Sequence, residues 1–126
     1  MRFLRVLAIC LAGLAALPAA AEPVPRRVLV LWDSSVTTRW RDTFAHQMLE
    51  MPLNRLGFVV EHVDVARKLP GPEAFEGARA VVSWLESDTV PDPAAAFAFV
   101  DAATARGLRL VVLGEPAFQI GRASCR

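Results

Sequence analysis

The residues of this chain that carry chemistry fall in short acidic, hydroxyl-bearing runs, each following an apolar one. Asp33, Ser34 and Ser35 follow RVLVLW, Glu86, Ser87 and Asp88 follow AVVSWL, and Glu115 follows RLVVLG. Carboxylates accept hydrogen bonds from hydroxyls and attract ammonium groups, so such a set suits hydroxyl-rich sugars or a cationic amino sugar. Two carboxylates at a fixed separation also perform general acid/base work or hold a hard cation. The commoner role of acidic loops is solvation. The pattern assigns no catalytic residue, metal ligand or cofactor.

The two histidines invite sharper readings. His46 stands four residues after Asp42 and four before Glu50, on the polar side of an expected helix. It is placed to be a ligand or general base, but no partner motif accompanies it, and a solvated role is expected. Glu61, His62 and Asp64 are the right types for a metal site. Neighbours on a strand point to opposite faces, however, so an edge strand is the expected explanation.

The elements that position these residues follow from the apolar pattern. Val28 to Trp32 form an unbroken run, the signature of a strand covered on both faces, and the first strand is expected at about Arg27 to Asp33. Thr37 or Thr38 is expected to cap the next helix, Arg39 to Leu56. There Trp40, Phe44, Met48 and Met51 recur at helical spacing as its apolar stripe, with Leu53 and Leu56 continuing it, Pro52 predicts a kink or restart near Met51, and Gly57 stops it. Phe58 to Val65 alternates as a less buried second strand. A crossover through Pro70, Gly71 and Pro72 leads to a third strand, Arg79 to Leu85. Asp92 between two prolines caps a helix ending at Gly107, and a fourth strand spans Arg109 to Leu113. Alternating strands and helices predict a three-layer α/β fold with a parallel sheet, whose strand carboxyl ends bring Asp33–Ser35, Glu86–Asp88 and Glu115 to one rim.

Both ends stand apart from this domain. Residues 1–21 carry Arg2 and Arg5, an apolar run Val6 to Leu17, and Ala19 to Ala21, the layout of a secretory signal cleaved after Ala21. The apolar core is shorter than the roughly 20 residues that span a bilayer. Cys10 follows Ile9 rather than a small residue, against a lipoprotein signal. Residues 22–26 are a proline-containing extended leader, and 27–119 the partial domain. The tail 120–126, IGRASCR, has no periodicity and resembles one translated frame of a sequencing adapter.

Without Arg2, Arg5, Arg122 and Arg126 the 14 basic residues become 10 against 13 acidic ones, a net charge near −3. No basic cluster is present, which argues against nucleic acid and, after signal cleavage, against an anionic membrane surface. The expected location is periplasmic or secreted. Neither G-x-G-x-x-G nor G-x-x-x-x-G-K-[ST] occurs, so no dinucleotide or NTP phosphate loop is indicated. No G-x-S-x-G or cysteine elbow occurs either.

The run EMPLNRLGF at Glu50 to Phe58, the VDV at Val63 to Val65 and the following apolar strand with Trp84 resemble the flavodoxin-like or class I amidotransferase-like domain of exported bacterial polysaccharide-processing proteins, including those similar to the Pel-type exopolysaccharide deacetylase. The resemblance covers about Arg27 to Phe118. It implies a flavodoxin-like domain, incomplete because truncated, acting as a non-catalytic accessory module beside downstream domains that process polysaccharide. The deacetylase's metal-binding Asp and His motifs do not occur here, so no catalytic residue carries over. A stand-alone periplasmic ligand-binding domain of flavodoxin-like shape is the alternative.

Overall fold

The computed structural model describes residues 24–114. Residues 1–23, which hold the expected signal, Cys10 and the start of the expected leader, and residues 115–126, which hold Glu115 and the IGRASCR tail, lie outside the described residues.

Four strands, β1 (Arg27–Trp32), β2 (Val59–Asp64), β3 (Ala78–Ser83) and β4 (Arg109–Val112), form one parallel sheet in the order β2-β1-β3-β4. Its fold class is α/β, consistent with a flavodoxin-like arrangement. Strand β1 pairs with β2 on one side, Leu29 opposite Glu61, and with β3 on the other, Leu29 opposite Val81. That central place explains its unbroken apolar run: Val28, Leu29, Val30 and Leu31 are all buried. Each such side chain contributes about 1.5–3 kcal/mol by leaving water. Strand β2 is an edge strand and is less buried, as its partial alternation implies.

The two faces of β1 feed two cores. Leu29 and Leu31 join Val63, Val81, Phe75 and the buried row Ala96, Phe99, Val100 and Ala103 of helix α2 (Pro93–Ala105). Val28 and Val30 join Val82 and Ala45, with Trp40, Leu49, Leu53 and Trp84 packed around them. Here helix α1 (Met51–Arg55) is entered through a π-type segment, Ala45–Glu50, preceded by a 3-10 turn, Trp40–Asp42. A second 3-10 turn, Pro72–Phe75, lies in the β2–β3 crossover. Among the described residues no helix is long and apolar enough to cross a membrane.

Helix ends follow their local chemistry. Asp92 caps α2 by accepting the Ala95 amide at 2.9 Å. Gly57 and Gly107, at φ 81° and 85°, end α1 and α2. Phe58 bonds back to Leu53, and Leu108 to Ala103, in the left-handed closure that glycine permits without strain.

Two expectations for the first helical region need correction. Phe44, Met48 and Met51, read as its buried stripe, are each at least half exposed, at 51 %, 60 % and 60 %. Leu56, expected to continue that stripe, is 73 % exposed, whereas Trp40 and Leu53 do pack against the sheet, joined by Ala45 and Leu49. The helix also neither begins at Arg39 nor takes its cap from Thr37 or Thr38. Thr43 provides the cap, accepting the His46 amide at 3.2 Å. Pro52, without an amide hydrogen, sits in the first turn of α1, where the winding changes.

Candidate functional site

The carboxyl ends of the adjacent strands β1 and β3 bring two of the predicted acidic loops together. Sheet order reverses here, since β1 leads outward to β2 on one side and the chain returns to β3 on the other. In open α/β sheets ligands bind at such a switch point. Thr37 from the β1 loop donates its hydroxyl to Glu86 Oε2 from the β3 loop at 2.7 Å. Asp33, Thr37 and Glu86, together with Thr43, Trp32 and Trp84, line a recess of about 10 Å³, roughly the space of one water-sized group.

Asp33 lies deeper than a solvated rim residue, at 4 % exposure. Its Oδ1 accepts the Ser35 amide at 2.8 Å and the Ser35 hydroxyl at 2.6 Å. Its backbone carbonyl accepts the amides of Val36 and Thr37, which closes the loop into a tight turn. Oδ2 is buried and meets no donor among the described residues. An unsatisfied acceptor in such a place costs about 1–3 kcal/mol, so Oδ2 is open to an incoming donor.

The other predicted rim residues divide by role. Both Glu86 oxygens are engaged, Oε2 by Thr37 and Oε1 by the Phe44 amide at 2.6 Å, so this side chain binds the two loops together. The Ser34 amide donates to Asp64 Oδ1 at 3.1 Å, tying the β1 and β2 ends. Ser87 accepts the Thr89 amide at 3.2 Å within its own turn, and Asp88 is exposed. Glu115 lies outside the described residues.

Glu61, His62 and Asp64 do not converge. Glu61 pairs with Arg27 across the β1–β2 ladder, and Asp64 receives the Ser34 and Ala66 amides and an ion pair from Arg67. His62 turns to the opposite face from Glu61, where its ring stacks on Trp40 with centroids 3.4 Å apart. Among the described residues no group of three or more His, Cys, Asp or Glu side chains is arranged to hold a metal ion.

The structure does give the histidines a common partner. His46 Nδ1 contacts Glu50 Oε2, and His62 Nε2 lies 3.8 Å from the same oxygen. Trp40 packs edge-on to His46 and to Trp32 as well as stacking on His62. Burial holds the His62 imidazole below the usual histidine range; Glu50 and Glu61 pull the other way, and His46 adds to the lowering. The four-residue spacing of His46 and Glu50 signals their pairing on a helix. Nothing local signals His62, whose approach depends on the β1–β2 register.

Comparison with protein-family models, with curated proteins and with solved structures finds no match.

Proposed function

We propose that this chain is a non-catalytic ligand-binding α/β domain, and that its ligand is a hydroxyl-rich or amino sugar held at the rim between β1 and β3. The observation that carries the reading is the unpartnered Oδ2 of Asp33, buried in a recess with room for a single ammonium or hydroxyl group. Such a donor restores the missing hydrogen bond, and an ammonium does so with charge assistance. Trp32 and Trp84 flank the recess. Their indoles offer flat apolar walls to a sugar ring whose amino or hydroxyl group reaches Asp33. The resemblance of Glu50 to Phe58 to domains of exported polysaccharide-processing proteins supports an accessory role in such a protein, outside the cytoplasm.

Calorimetric titration of the chain with glucosamine oligomers and with their N-acetylated counterparts tests this. Binding is expected to favour the free amine, and Asp33→Asn, which keeps the shape of the side chain, is expected to weaken it by about 1–3 kcal/mol. Equal affinity of wild type and Asp33→Asn, with the fold intact, would sink the reading.

A further inference from the structure

A second group of chemically active side chains lies on the exposed side of the first helical region. Two adjacent rows, His46, Glu50 and Asn54, and Gln47, Met51 and Arg55, each at four-residue steps, line an open groove with Arg41 from the preceding 3-10 turn. Its volume is about 740 Å³. Arg41 and Arg55 are exposed, and neither is ion-paired among the described residues. Asp42, the acidic residue beside Arg41, is paired with Arg39 at 2.8 Å. The carboxylate of the groove, Glu50, is occupied by His46 and approached by His62. Positive charge therefore outweighs free carboxylate in the groove.

We infer that this groove binds a small molecule bearing a phosphate or carboxylate group, with Arg41 and Arg55 clamping the anion and His46 adding a hydrogen bond. Guanidinium groups present paired donors that match both anions. Glu50 engages Nδ1 of His46 and fixes the ring, leaving Nε2 without a partner among the described residues. With Nδ1–H given to Glu50, the neutral ring offers only an acceptor at Nε2, whereas the protonated ring offers a donor. The groups facing His46 are Glu50 on its own segment, His62 from β2, and Arg41 and Arg55 along the groove. The inference is independent of the Asp33 rim.

Nuclear magnetic resonance titration of the full chain with inorganic phosphate and with acetate, at pH 6, tests it. Saturable shifts are expected at His46, Gln47 and Asn54, and the tighter of the two probes identifies the anion class. Arg41→Gln with Arg55→Gln is expected to weaken binding about tenfold or more, the scale of a lost charge-assisted hydrogen bond. Both arginines are exposed, and either single variant serves the same purpose if the double variant unfolds. His46→Gln is expected to weaken binding of both anions. The inference is overturned by no saturable shift with either anion or by affinity unchanged in the arginine variants; affinity unchanged in His46→Gln overturns the hydrogen bond assigned to it.

Discussion

The carboxylate of Glu86, in the loop after β3, accepts the backbone amide of Phe44 at 2.6 Å, so the helical segment that follows β1 is capped from a different strand. The same side chain takes the Thr37 hydroxyl with its other oxygen. One residue thereby fixes the distance between the two loops of the rim.

Glu86→Ala should accordingly destabilise the fold by about 1–2 kcal/mol, the cost of a lost cap. Glu86→Gln, which keeps one acceptor oxygen, should lose less. Urea denaturation of both variants checks this, and an Ala variant as stable as wild type would show that the cap contributes nothing.

Stability should also depend on the protonation of His62. Its folded value is depressed by burial, so between that value and the ordinary 6.5 the unfolded chain binds more protons than the folded one. The contribution is fully present above about pH 6.5 and is lost as pH falls through the lowered folded value. Thermal melts from pH 8 to pH 5 should show a steeper acid-side loss for wild type than for His62→Gln. Parallel profiles would count against the effect.

Among the described residues the sheet has open edges at β2 and at β4. Val59 on the first is 59 % exposed and Val111 on the second 42 %. Apolar side chains beside unpaired backbone groups invite strand addition between molecules. Val59→Lys with Val111→Lys should lower self-association in sedimentation velocity without shifting the thermal midpoint by more than a few degrees. Equal association of variant and wild type would place the sticky surface elsewhere, for example at exposed Phe44, Met48 and Met51.

Much of the fold was legible because its signals are local. The apolar run of β1 needs two covered faces and has them, and Asp92 between prolines caps α2 as its position demands. Gly57 and Gly107 end the helices where the periodicity stops. Phe44, Met48 and Met51 misled because a four-residue step fits two neighbouring faces of one helix equally, and it is the face of Ala45, Leu49 and Leu53 that turns to the sheet. The rim was legible as a set of strand ends. The burial of Asp33 was not, since it depends on the turn closing over its carboxyl. The meeting of Glu50 with both histidines was hidden for the same kind of reason: one arrives by helix spacing, the other only through the pairing of β1 with β2.

The central position of β1 has a consequence for how the chain is made. Its backbone is paired on one side by Val59–Asp64 and on the other by Ala78–Ser83, both synthesised later. At about 5–20 residues per second, the most apolar strand of the domain waits for several seconds with neither neighbour available. Holdase chaperones recognise such extended hydrophobic segments. The residues that make the finished sheet strongest, Val28 to Leu31, are thus also the nascent chain's greatest exposure to misassociation.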